Sequence, residues 1–124
     1  MRRSSFLASF GYAFSGLWHV LRTQRNARIH IAITLVVAAL GLHLGLSLTE
    51  WAIIVLTIGT VLAAESFNTV AELAVDLATT EYHPLAKIAK DVAAGAVLLM
   101  AITAVVVGLL ILVPPLWKEL ATIF

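Results

Sequence analysis

Seven polar residues stand out from a chain that otherwise avoids charge. Glu65, Asn68, Glu72 and Asp76 lie at offsets 0, 3, 7 and 11, and Lys87, Lys90 and Asp91 follow after a short gap. On an α-helix those four offsets fall in one narrow stripe. The stripe comes straight after Trp51 to Ala64, a run of fourteen residues without a formal charge. Carboxylates at membrane depth are costly and mark a functional site by default. The side chains define what such a site can do. A carboxylate shielded from water can take a proton from a hydroxyl group. Carboxylates that reach water offer hard oxygen ligands to a divalent cation, and Lys87 and Lys90 can meet phosphate oxygens. Asp91, next to Lys90, can orient or balance it.

The elements that must carry these residues are membrane helices. The chain has 124 residues, so a single domain over 1–124 is expected. It is 61% hydrophobic and 12% charged, more apolar surface than a small soluble domain can hide. There is no cysteine, which excludes disulfides and thiolate metal sites. The start, Met1-Arg2-Arg3, is followed by no apolar core with a small-residue cleavage site, so it reads as part of the mature protein. Residues 4–23 place Phe6, Leu7, Phe10, Phe14, Leu17, Trp18 and Leu21 at 3–4 spacing, the pattern of a helix lying in the membrane surface. Packing of that helix on the bundle is compatible with the same pattern. Spans are expected at about 29–48, 51–77 and 86–113. Thr49 is a candidate cap for the second span and Pro84 suits the first turn of the third. Pro114-Pro115 is expected to stop the third, with Trp117 and Lys118 as interface anchors.

Three spans put the N-terminus and the 76–84 loop on one side. That side receives seven of the eight basic residues: Arg2, Arg3, Arg22, Arg25, Arg28, Lys87 and Lys90. By the positive-inside rule it is cytoplasmic and the C-terminus is outside. With Trp51 at the outer face and a rise of ~1.5 Å per residue, Glu65 lies roughly 21 Å deeper. Asn68, Glu72 and Asp76 follow at about 26, 32 and 38 Å. Since the hydrocarbon core is ~30 Å thick, Glu65 sits within the inner leaflet, Glu72 at its boundary and Asp76 among the headgroups.

Each residue also has a plainer role. Glu72 and Asp76 can be solvated carboxylates, Lys87 and Lys90 snorkelling anchors, Asp91 a helix cap and Asn68 interhelical glue. His30 and His43 read as packing or interface residues, since no partner spacing supports a metal site. Glu65 is the hardest to explain by packing. Two function classes fit: a small proton-coupled transporter, or an enzyme acting on lipid headgroups. A transporter needs polar groups reaching both faces, and the outer half of every span is almost bare. One-sided polarity favours the enzyme. No glycine-rich phosphate loop of the Walker or protein-kinase type is present, so the residues alone do not reach ATP.

The stretch from Glu65-Ser66-Phe67-Asn68-Thr69 through Glu72 to Asp76, with His83-Pro84-Leu85-Ala86-Lys87 and Ala89-Lys90-Asp91 downstream, closely resembles the small bacterial diacylglycerol kinase/undecaprenol kinase family. The resemblance extends upstream through Gly11-Tyr12-Ala13-Phe14 and Arg25-Asn26-Ala27-Arg28-Ile29-His30 and covers roughly Gly11 to Val113. It implies an all-α homotrimer in the bacterial inner membrane, with three transmembrane helices and a surface helix per subunit. Such a protein passes the γ-phosphoryl group of MgATP to a lipid alcohol. By motif position, Glu65 resembles the general base and Asn68 a residue that orients the catalytic groups. Glu72 resembles a metal ligand, and Lys90 the phosphate-binding lysine with Asp91 as its companion. Tyr12, Asp76 and Lys87 fall with Lys90 and Asp91 on the nucleotide side. The family usually carries a second metal-ligating glutamate where this chain has Gln24, whose amide oxygen can ligate Mg²⁺ without the negative charge. The Arg25–His30 and His83–Lys87 stretches are more similar to the undecaprenol-using branch than to the diacylglycerol-using one. A site shared between subunits, with Glu65 shielded from lipid by the trimer, is expected. No nucleic-acid partner is implied.

Overall fold

A computed structural model describes residues 5–124 as four helices: α1 (Phe6–Thr23), α2 (Arg25–Leu44), α3 (Leu48–Ala78) and α4 (Pro84–Ala121). No strand occurs among the described residues. The calls on Arg2, Arg3 and Ser4 lie outside them. Three helices, α2, α3 and α4, are long and apolar enough to cross a membrane.

Local chemistry sets each boundary. Ser5 caps α1 by accepting the Ala8 N–H at 3.2 Å. Gln24 ends α1 and begins α2 in an extended conformation (φ −104°, ψ 114°), so one residue makes the elbow. The Arg28 guanidinium reaches back across it, donating to the Leu21 and Arg22 carbonyls at 3.1 and 2.9 Å. Those carbonyls belong to the last turn of α1, which lacks helical partners and favours a cation. Arg28 is thus a clamp as well as a positive charge.

Three expectations need correction. The cap of α3 is Ser47, not Thr49: Ser47 Oγ accepts the Glu50 N–H at 3.2 Å, while Glu50 Oε1 accepts the Ser47 N–H at 3.1 Å. This reciprocal pair satisfies two otherwise orphaned donors, which Thr49 one residue on does not. The turn before it is Gly45–Ser47, where Gly45 takes the left-handed conformation (φ 67°) that a side chain resists. Second, α2 starts at Arg25 and ends at Leu44, so its span lies four residues earlier than expected at each end. Third, Pro114-Pro115 does not stop α4, which continues to Ala121. A proline ring has a helix-compatible φ; what it removes is the N–H, here the donors that would have met the carbonyls of Leu110 and Ile111. The segment beyond is tied to α2, with His43 Nε2 2.7 Å from Glu119 Oε1. Pro84 does open α4, with His83 Nδ1 accepting the Leu85 N–H at 3.1 Å.

The packed core lies at the end of the bundle away from the polar stripe. Ile54, Ile111 and Leu112 are buried there, with Val37, Leu40, Leu44, Leu46, Ile58 and Val107 against them. Helices α2 and α3 approach closely because Gly41 has no side chain: a Cβ there would lie 2.7 Å from the Trp51 ring. Much apolar surface stays outward, including Leu35, Val36, Leu56, Leu99 and Leu110. α1 buries only Val20 and leaves Phe6, Leu7, Phe10, Phe14, Leu17 and Trp18 exposed.

Candidate active site

All four residues of the stripe lie on the unbroken helix α3, and burial falls along it. Glu65 is 1% exposed, Asn68 and Glu72 are half-buried, and Asp76 is exposed. This is the order expected from depth, but its cause within one chain is packing. Glu65 extends the inner line of α3 formed by Ile54, Val61 and Thr69. It faces a pocket lined by Asn26, Ile29 and His30 of α2 and by Ala94, Val97, Leu98 and Ala101 of α4. Glu65 is therefore already shielded within one chain, by α2 and α4.

The polar contacts are sparse. Glu65 Oε1 is buried without a hydrogen-bond partner. The nearest charged or chargeable nitrogen is His30 Nε2 at 3.4 Å, within ion-pair range but not aligned for a hydrogen bond. Asn68 donates through Nδ2 to Glu72 Oε1 at 3.2 Å, which leaves Asn68 Oδ1 buried and unpaired. A buried acceptor left open costs about 1–3 kcal/mol, so both orphaned oxygens point to a ligand or a proton that completes them.

Lys90 of α4 reaches across to Asp76 of α3, Nζ to Oδ1 at 2.6 Å. Lys87 pairs with Asp91 one turn on. Asp91 is expected from the sequence beside Lys90 or as a cap of the third span. The structure places it in mid-helix against Lys87, because residues four apart share a helix face and adjacent ones do not. These four side chains line an open cleft of about 760 Å³ with Thr79, Thr80, Glu81, Tyr82 and His83 of the connecting loop. Both ion pairs are well exposed and so hold at most about 1 kcal/mol each, which leaves the lysines available to an anionic ligand.

Not every expected residue joins this cleft. Tyr12 is 70% exposed on α1 and is not among the cleft's lining residues. Gln24 sits at the α1–α2 elbow with its Nε2 3.4 Å from Thr23 Oγ1. Asn68 opens to the flank of the α3–α4 pair opposite Glu65, beside Ala93, Ala96 and Met100. Among the described residues, no three His, Asp or Glu side chains gather to hold a metal. The residue that sequence reasoning passed over is His30. The sequence did not pair it with Glu65: with the first span expected to end at 48, His30 would lie about 27 Å from the outer end, and only the observed end of α2 at Leu44 brings it level with Glu65 at about 21 Å.

Three helices are long and apolar enough to span a membrane, and Glu65, Glu72, Asp76, Lys87, Lys90 and Asp91 lie towards one end of them, with His43, Glu50, Lys118 and Glu119 at the other. The comparisons with known proteins give the chemistry. Residues 11–112 match the family described as prokaryotic diacylglycerol kinase. The chain is 46% identical over 111 residues to the undecaprenol kinase of Bacillus subtilis (strain 168), covering 90% of each protein. It is 48% identical over 115 residues to a diacylglycerol kinase of Synechocystis sp., covering 90% of this chain and 65% of that one. A diacylglycerol kinase of Helicobacter pylori is 36% identical over 88 residues, 71% of this chain and 69% of the relative. The chain belongs to the prokaryotic diacylglycerol kinase family and is a lipid kinase.

Proposed function

We propose that this chain transfers the γ-phosphoryl group of MgATP to undecaprenol at the cytoplasmic face of the bacterial inner membrane, as a homotrimer with 1–124 as one catalytic domain. The observation that carries the reading is Glu65: a buried carboxylate with an unpaired oxygen, in a pocket between α2, α3 and α4, about three turns along α3 from a lysine-lined cleft. The B. subtilis undecaprenol kinase aligns over nine-tenths of both chains, which supports the polyprenol acceptor. The 48% identity to the Synechocystis enzyme favours diacylglycerol as the second reading.

The acceptor's hydrocarbon lies in the bilayer and its hydroxyl reaches Glu65. Glu65 takes the hydroxyl proton as the oxygen bonds to the γ-phosphorus and the bond to the ADP oxygen breaks. Lys90, released from Asp76, and Lys87, released from Asp91, meet the phosphate oxygens in the loop cleft. Asn68 orients Glu72, and Tyr12 extends the nucleotide surface from α1. The residues that would hold a nucleotide-borne Mg²⁺ are Glu72, whose carboxylate accepts from Asn68, and Gln24 at the elbow, with a neutral amide oxygen; among the described residues the chain does not by itself gather three carboxylate or imidazole groups there. When bound, the ion neutralises charge on the transferring phosphate. The basic residues set the orientation, with the elbow and the 79–83 loop cytoplasmic and Lys118 outside; the aromatic face of α1 lies in the membrane surface.

The test is phosphoryl transfer from labelled ATP by the purified protein, with each lipid supplied in turn. Undecaprenol is expected to be the better acceptor. A clear preference for diacylglycerol installs the second reading, and transfer to no lipid alcohol overturns the kinase reading of this chain.

A further inference from the structure

His30 takes no part in the scheme above, yet it is the charged or chargeable side chain within 4 Å of the Glu65 carboxylate among the described residues. The two come from different helices at matching depth, and the imidazole is 19% exposed against 1% for Glu65. The His30 ring also stands at a junction. It lines the pocket that holds Glu65 and, on its other side, an apolar cleft running towards the far end of the bundle past Thr34, Thr57 and Val61. A buried carboxylate oxygen needs a donor, and the Nε2 of His30 is the nitrogen in reach. Its 3.4 Å approach is long for a hydrogen bond. Catalytic hydrogen bonds are often long before substrate binds and tighten in the complex.

We propose that His30 is a positioning residue for proton transfer: its Nε2–H holds Glu65 Oε1, so that the other carboxylate oxygen faces the acceptor hydroxyl. The proposal rests on the lipid-kinase reading with Glu65 as base. The hydroxyl proton passes to Glu65, and His30 keeps its own proton and serves as donor only. His30 acts on the acceptor side of the reaction and not on the nucleotide cleft, whose lining does not include it.

The experiment compares His30→Leu, which keeps bulk and loses the donor, with His30→Gln, which keeps an N–H at similar reach. In full-length protein the Leu variant is expected to lower kcat by about ten- to a hundred-fold, the equivalent of one hydrogen bond to a charged group. The KM for ATP should stay unchanged, and the Gln variant should recover most of the rate. A parallel readout needs no turnover: the infrared carboxyl band of Glu65, identified by its loss in Glu65→Gln, should move in the Leu variant and hold in the Gln variant. Should His30→Leu not assemble, His30→Asn, whose amide is one carbon short of Glu65, replaces it. Wild-type kcat in the donor-less variant overturns the proposal, as does equal loss in both variants with a raised KM for ATP, the pattern of a packing role. If the wild type phosphorylates no lipid alcohol, the kinase reading fails first; the infrared shift then tells whether the contact exists without its catalytic use.

Discussion

Glu65 is the residue on which the proposed chemistry turns, because no other carboxylate of the stripe is both buried and unpaired. Glu65→Gln keeps the volume and removes the base. Its expected outcome is a loss of phosphoryl transfer of about a hundred-fold or more, the usual worth of a positioned general base, with the helical content and assembly state unchanged. Radiolabel transfer and size-exclusion profiles check the two halves, and retained turnover removes Glu65 from the mechanism. At the metal side, Gln24→Glu is expected to lower the Mg²⁺ concentration needed for half-maximal rate, since an anionic oxygen replaces an amide. The elbow backbone is extended and admits either side chain, so thermal stability should not move. A Mg²⁺ titration that stays put, or a loss of rate, means that Gln24 serves the elbow. The stripe was legible in the sequence because a period of 3.6 and a scarcity of charge single out four residues. Their pairing was less so: Lys87 with Asp91 follows from helical spacing, but Lys90 with Asp76, and His30 with Glu65, depend on which faces of α2, α3 and α4 meet.

Elements are set by a few local interactions, and two of them hold the end of the bundle opposite the site. Gly41 lets the Trp51 ring and Leu46 lie against α2. In Gly41→Ala the new methyl meets the ring at 2.7 Å, so the indole must shift. A loss of about 1–3 kcal/mol is expected, the range for overpacking a tight contact. Ser47→Ala breaks the reciprocal cap with Glu50 and should cost about 1 kcal/mol. Both are read by denaturant unfolding in detergent, with the Mg²⁺ and ATP dependence of surviving protein unaffected, since the loop cleft lies at the other end. Two intact profiles against denaturant would show that this end adds nothing to stability. The count and order of helices were legible from runs of uncharged residues, because a bilayer demands about 20 of them. The ends were less so. The Ser47 cap could have been found, since Ser47-Leu48-Thr49-Glu50 before an apolar run is a capping-box pattern; the passage of α4 through Pro114-Pro115 goes with a tertiary contact, His43 with Glu119, that the local sequence does not hold.

At the scale of the whole molecule, the polar groups of the proposed site lie apart within one chain. Glu65 and Asn68 open on opposite flanks of the α3–α4 pair, and Asp76 with Lys90 lies in a third place, eleven residues or roughly 16 Å further along α3. In the proposed reaction a phosphoryl group held by Lys90 would still have to reach a hydroxyl held by Glu65. A neighbouring copy set against the exposed apolar faces would bring a second loop cleft alongside the first chain's Glu65 pocket and complete the site between subunits. Apolar surface on this scale is ordinary against lipid, so it does not by itself require an assembly; the division of the polar groups is the stronger argument. It gives a sharp expectation for mixed assemblies. Glu65→Gln chains and Lys90→Met chains should each be nearly inactive alone. Co-assembled after dissociation, they should regain a sizeable fraction of the wild-type rate, because some interfaces join an intact Glu65 to an intact Lys90. Controls that pair each variant with itself should stay inactive. Recovery in the mixture alone establishes a site built across chains, whereas inactivity at every mixing ratio means that Glu65 and Lys90 must come from the same chain, with α4 carrying its lysines to α3 within one subunit.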